Sequence, residues 1–215
     1  MSRERERRHI RAGVAAIVVI VAAGTAAQLI DFEFFDLRIA ALNSAADGGV
    51  FGVVGDLSLS AAALAAWLVL VRTRDQKATT ILLPPLLTFL AVDKAMQLHD
   101  HIPHWLALYL PLLAVTFAVL ASVAWRLPAP ESQLVWTGLV LLAVSFVLHL
   151  FGDQLLRAFD ASVTGWAYQV KAVVKHGAEV AGWLLVALGL AAGTEARRQA
   201  GSGPELPAEW TTPAQ

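Results

Sequence analysis

Six apolar runs, each about twenty residues long, constrain this chain more than any other feature. A run of this length crosses the hydrocarbon core of a bilayer as an α-helix. The sequence therefore predicts an all-α fold, an integral membrane bundle of six transmembrane helices. The runs lie at 12–30, 53–71, 79–98, 104–125, 134–151 and 169–192.

The composition supports a membrane protein and narrows the chemistry. Of the 215 residues, 57% are hydrophobic and 15% are charged, whereas about 25% of a soluble domain is charged. A net charge of −1 provides no broad basic surface, so we expect no nucleic-acid partner. The chain has no cysteine, which excludes disulfides, thiolate nucleophiles and cysteine-ligated metals.

The distribution of Lys and Arg predicts the orientation. Eleven of the sixteen lie near the N-terminus, in the links at 72–77 and 126–133, or in the C-terminal tail. Because cytoplasmic loops carry the excess of positive residues, we expect both termini to be cytoplasmic and the protein to lie in the cytoplasmic membrane.

The chain divides into a basic N-terminus (1–11), a six-helix transmembrane domain (12–194) and a polar tail (195–215) that we expect to be disordered. Apolar residues at helical spacing over 32–42 predict a short interfacial helix between the first two spans. An alternative is that the first span is a signal peptide cleaved after "TAA" at 25–27.

Polar side chains gather in the predicted outer half of the bundle, while the inner half is nearly free of ionisable groups. A charge at the bilayer centre costs about 3 kcal/mol or more, so such residues normally face the bundle interior and pair with one another. We expect three stripes to converge there. They are Asp93, Gln97 and Asp100; Ser145, His149 and Asp153; and Lys171, Lys175 and Glu179 with His176.

The polar residues of this region also have a purely structural interpretation. Lys94 with Asp93, and Lys175 with Glu179, are explained equally well as ion pairs that neutralise buried charge. His99 stands six positions after Asp93 and points elsewhere unless the helix ends or bends there.

The segments "FLAVDKAMQLHD" and "VVKHGAEVAGWLLVALGL" resemble motifs of an uncharacterised family of bacterial multi-pass integral membrane proteins. Its members pair a D-x5-H-[DE] helix with a late E-E-x-x-E-x-x-G helix. Lys94, Lys175 and His176 stand where that family tends to carry acids, which weakens a multi-carboxylate metal site. The resemblance implies no particular activity, and a looser likeness to alkaline-ceramidase-like membrane hydrolases is an analogy. The matching positions are Asp93, His99, Asp100, His176, Glu179 and Gly182.

The first functional hypothesis is a metal-dependent hydrolase acting on lipid-type substrates at the outer face. A divalent metal such as zinc is bound by His and carboxylate groups. Glu179 or Asp153 would act as general base, and Lys175 would stabilise a developing anion. The candidate metal ligands are Asp93, His99, His149 and His176.

The alternative is a non-enzymatic protein, either a membrane binding or sensing protein or an accessory subunit whose polar stripes only fix helix packing. A transporter is disfavoured because no polar path continues to the inner half and no inverted repeat is visible. A b-type cytochrome would need two facing histidines, for which His149 and His176 are the best pair. Partners expected on any of these hypotheses are the lipid bilayer and a lipid or small-molecule ligand; the sequence does not predict the oligomeric state.

Overall fold

A computed structural model describes residues 3–43, 49–72, 77–159 and 165–201. These ranges contain six α-helices and no strand, and all six helices are long and apolar enough to cross a membrane. The predicted six-span, all-α architecture is confirmed to that extent. The helices are α1 (Arg3–Phe35), α2 (Val50–Arg72), α3 (Ala78–Met96), α4 (Trp105–Ala124), α5 (Ala129–Ala158) and α6 (Trp166–Gly201).

The centre of the bundle is α6, which packs against α1, α2 and α5. Glycines bring α5 and α6 close together: a Cβ on Gly138 would lie 2.7 Å from the Gly182 carbonyl oxygen, and a Cβ on Gly182 would lie 2.7 Å from Leu142 Cγ. Small residues at a membrane interface allow backbones to approach and gain dispersion contacts. The α5–α6 pair is therefore closely packed.

Apolar side chains fill the half of the bundle nearer the two termini. Leu83 and Leu87 from α3 meet Leu120 from α4 and Val186 and Leu190 from α6, and all five are almost inaccessible to solvent. A bilayer supplies no hydrophobic drive between helices, so this tight packing stabilises the bundle mainly through dispersion. This apolar core closes the interior at that end.

The predicted interfacial helix between the first two spans is wrong for the described residues up to 43. Instead, α1 continues to Phe35, and the chain turns at Asp36 and Leu37, which both have positive φ. The fully buried Asp31 holds this turn, because its carboxylate accepts the backbone N–H of Ile39 at 3.0 Å. The apolar spacing therefore reflected the end of α1 and a turn.

Four helices, α1, α2, α5 and α6, extend beyond the predicted spans at both ends, and the extensions of α5 and α6 bear on two predictions. α5 begins at Ala129, which places Glu131 in its first turn and leaves that side chain only 3% exposed. Glu131 is therefore an exception to the expectation that the inner half is nearly free of ionisable groups. It lies at a helix N-terminus, where the helix dipole favours a negative charge. α6 continues through Gly201, past the expected start of the tail at 195, and 202–215 lie outside the described residues.

Candidate functional site

A cavity of about 840 Å³ lies between α2, α3, α4, α5 and α6, at the end of the bundle opposite the termini. We call this the cavity. Its lining includes six of the seven residues that the sequence analysis proposed for chemistry; the exception, Asp153, is not part of the lining. The six are Asp93, His99, His149, Lys175, His176 and Glu179.

An ion pair joins three helices at the cavity wall. Lys94 Nζ lies 2.6 Å from Glu179 Oε1 and 4.0 Å from Asp56 Oδ1. His176 Nδ1 stands 3.9 Å from the other Glu179 oxygen. A Cβ on Gly55 would lie 3.3 Å from Lys94 Cε, so the missing side chain leaves room for the lysine to cross α2. The acid that neutralises Lys94 is thus Glu179 on α6.

Asp93 is the centre of a second polar network. It is 4% exposed, and its carboxylate accepts the backbone N–H of His99 at 3.0 Å and the hydroxyl of Tyr109. The His99 ring Nδ1 lies 3.0 Å from the other carboxylate oxygen. These contacts form because α3 ends at Met96 and Gln97 adopts a left-handed conformation, which turns His99 back toward Asp93. The predicted helical stripe therefore stops at the end of α3.

Aromatic rings connect this network to α5. The centroid of the Trp105 ring lies 5.3 Å from that of His99, 5.7 Å from that of Tyr109 and 6.0 Å from that of His149. Aromatic pairs at such distances and tilted angles attract one another beyond their burial. This wall of the cavity therefore carries two imidazoles packed against one indole ring.

The lysines on α6 have different surroundings. Lys171 Nζ lies 2.7 Å from Asp153 Oδ1, whose side chain is 63% exposed, and 4.7 Å from the centroid of the Tyr168 ring. Lys175 also lines the cavity. In the described part of the chain, no carboxylate lies within ion-pair distance of Lys175. The alternative that Lys175 pairs with Glu179 is therefore wrong for the described structure, because Lys94 occupies that carboxylate.

The four candidate metal ligands do not form one ligand set. Within residues 3–43, 49–72, 77–159 and 165–201, no group of three or more His, Asp or Glu residues is arranged to hold a metal ion. Asp93 and His99 contact each other, His149 contacts Trp105, and His176 stands near an acid already paired with lysine. Zinc sites need at least three protein ligands in one place, so the described arrangement gives the predicted metal no support, and the metal stays a prediction.

Two members of the site were not among the residues proposed for chemistry. Tyr109 donates to Asp93, and Asp56 lies beside Lys94. Tyr109 is one of two tyrosines in the chain and lies inside an apolar span, where its hydroxyl requires a partner. The need of this hydroxyl for a hydrogen-bond partner could have identified Tyr109 as a member of the polar site.

Residues 11–192 match the sequence profile of one protein family. The chain belongs to that family, Domain of unknown function (DUF8692). The DUF8692 match runs from the first turns of α1 into the second half of α6, so it includes every helix and the cavity. No curated protein and no solved structure matches the chain. The resemblance based on the two short motifs stays a prediction.

Proposed function

We propose that this DUF8692 protein binds an amphiphile in the cavity, as a membrane binding or sensing protein. The observation that carries the proposal is the division of the cavity into a charged end and an apolar end. Lys94, Lys175 and Glu179 line the charged end, and Leu113, Leu142 and other apolar side chains line the deeper part. A molecule with a polar head and an apolar tail complements both parts, because each part contacts groups of its own polarity.

The cavity also borders the surface that faces lipid. Leu110 and Ala114 on α4, and Ala143 and Val147 on α5, line the cavity and are exposed on the bundle surface. In a membrane-spanning bundle, such exposed apolar side chains contact acyl chains. This position supports lateral access for the ligand from the bilayer, between α4 and α5.

A cavity-filling variant tests the binding proposal. Ala114→Trp places an indole in the cavity wall, and Ala118→Trp adds the same group to an exposed position of α4 outside the cavity lining. Native mass spectrometry of both variants, with defined phospholipids added, should show that Ala114→Trp alone loses the tightest lipid adduct. Equal adducts in both variants and the wild type would contradict the proposal.

The orientation belongs to the same proposal: the cavity opens on the extracytoplasmic side and both termini are cytoplasmic, as the Lys and Arg distribution predicts. The chain has no cysteine, so single cysteines report topology directly. Arg157→Cys is exposed at the cavity end and Gln133→Cys is exposed at the opposite end. In intact cells, a membrane-impermeant maleimide should label only the cysteine at 157; labelling at 133 alone would reverse the orientation.

The catalytic roles of Glu179, Asp153 and Lys175 stay predictions. Glu179 is hydrogen-bonded to Lys94, and Asp153 lies outside the cavity lining, so neither position specifically favours a hydrolase over a binding protein. Release of fatty acid from a labelled phospholipid by the wild type, abolished in Glu179→Gln, would make catalysis the better hypothesis.

A further inference from the structure

We infer that the ligand of the cavity carries an anionic head group, a phosphate or a carboxylate, that contacts Lys175. This inference rests on the proposed amphiphile binding and specifies the chemistry of its head group. It depends on which charged groups around the cavity already have a partner within the protein.

Two of the carboxylates that line the cavity are engaged by donors of the protein itself. Asp93 accepts the backbone N–H of His99 and the hydroxyl of Tyr109. Glu179 accepts Lys94 at 2.6 Å. These donors occupy part of the Asp93 carboxylate, and Lys94 balances the charge of Glu179. These two acids therefore do not favour a cationic head group.

The third carboxylate, Asp56, is shared with Lys94 at 4.0 Å, and its side chain is 39% exposed. It lies on α2 and lines the cavity. Because Lys94 stands between Asp56 and Glu179, the charge on Asp56 is already balanced in part. Asp56 should therefore attract a cationic ligand less strongly than a lysine without a counter-ion attracts an anionic one.

Lys175 is such a lysine. It is partly buried within α6, it lines the cavity, and no carboxylate of the described residues lies within ion-pair distance. Charged groups within spans normally pair with another charge because an unpaired one is costly. An anion in the cavity would supply the counter-charge that the described protein does not.

The neighbours of Lys175 reinforce this preference. His149 on α5 and His176 on α6 line the same cavity and add imidazole nitrogens. Lys171, one turn earlier on α6, adds a lysine that Asp153 already holds at 2.7 Å. Ammonium groups and imidazole N–H groups are the donors that bind phosphate and carboxylate oxygens through charge-assisted hydrogen bonds. The apolar deeper part of the cavity then receives the acyl chain of the same molecule.

The test compares two fluorescent lipids with identical chains, phosphatidic acid and diacylglycerol, which differ by one phosphate. Each is titrated into the protein in phosphatidylcholine nanodiscs, with energy transfer from cavity tryptophans as the readout. We expect phosphatidic acid to bind the wild type at least tenfold more tightly than diacylglycerol. A labelled fatty acid extends the comparison to carboxylate, and inorganic phosphate as competitor shows whether the free anion alone occupies the site.

Variants assign the effect to one residue. Lys175→Gln should lose about tenfold in phosphatidic acid affinity, which corresponds to about 1.4 kcal/mol, with diacylglycerol affinity unchanged. Lys175→Arg keeps the charge and should keep the preference. Arg157→Gln removes an exposed positive charge from the last turn of α5, outside the cavity lining, and should change neither affinity. Gel filtration and thermal unfolding confirm that each variant is folded.

The outcomes separate the two proposals. Equal binding of both lipids to the wild type, or an unchanged preference in folded Lys175→Gln, would overturn the anionic head group while leaving amphiphile binding intact. Absence of binding for every lipid, or binding that Ala114→Trp does not reduce, would overturn amphiphile binding itself and the inference with it.

Discussion

The ion pair between Lys94 and Glu179 yields the most quantitative prediction of the structure. The two charged atoms are 2.6 Å apart, and the side chains are 27% and 20% exposed. At that distance, an effective dielectric constant of about 20 corresponds to a Coulomb attraction of about 6 kcal/mol, most of which the desolvation of two ions offsets. We expect a net coupling of about 2 kcal/mol, near the upper end for interhelical pairs in membrane bundles.

The two single variants should differ, because Asp56 lies 4.0 Å from Lys94. Lys94→Met leaves two carboxylates without a cation and should lower the free energy of unfolding by about 4 kcal/mol. Glu179→Gln leaves the lysine with Asp56 and should cost about 2 kcal/mol. The double variant should lose about 4 kcal/mol, which corresponds to the coupling of about 2 kcal/mol in a double-mutant cycle.

The assay is reversible unfolding in mixed micelles, followed by helical circular dichroism. The exposed pair Arg8 and Glu4, 2.8 Å apart with side chains 75% and 77% exposed, is the matched control and should couple by about 0.3–0.5 kcal/mol. Two results would refute the reasoning: a cycle that is additive within about 0.5 kcal/mol, or a Glu179→Gln variant as unstable as Lys94→Met.

Three further predictions concern stability. Tyr109→Phe removes one donor to Asp93 and should lower the free energy of unfolding by about 1 kcal/mol, measured in the same assay; no change would contradict the hydrogen bond. Gly182→Ala places a Cβ 2.7 Å from Leu142 Cγ and 3.0 Å from the Gly138 carbonyl oxygen, so it should destabilise by about 1–3 kcal/mol, and a stabilised variant would refute this close approach. A chelator should lower the thermal unfolding midpoint by less than about 2 °C, which is less than a loss of 1 kcal/mol would produce, because the described residues form no metal ligand set. A larger drop would favour the metal hypothesis.

The spans were predictable because length and apolarity alone decide whether a helix crosses a bilayer. The ends of the helices were less predictable from the sequence. The segment "KAMQLHD" contains no residue typical of a helix end. Left-handed C-caps favour Gly or Asn, whereas the cap of α3 is Gln97. Because α3 ends there, His99 returns to Asp93, and helical spacing could not predict this contact.

The pairing of charges was not predictable for a different reason. Spacing along α6 places Lys175 one turn from Glu179, which makes a local ion pair the simplest expectation. The observed partner, Lys94, reaches Glu179 from another helix through the space that Gly55 leaves open on α2. Such a contact depends on the relative rotation and separation of three helices, which side-chain periodicity does not encode.

The position of the apolar core favours the proposed binding protein over a conduit. The deeper part of the cavity is lined by residues such as Leu90 and Trp183, and beyond it Leu87, Leu120 and Val186 are packed almost without solvent access. An ion or polar solute that continued through the described bundle would have to cross this layer of apolar side chains, at a cost of several kcal/mol. An acyl chain meets no such penalty in the apolar part of the cavity, because it exchanges lipid contacts for protein contacts of the same kind. The same asymmetry therefore favours the proposed amphiphile, with its tail in the apolar part and its head group among the charged residues, over passage of a polar solute.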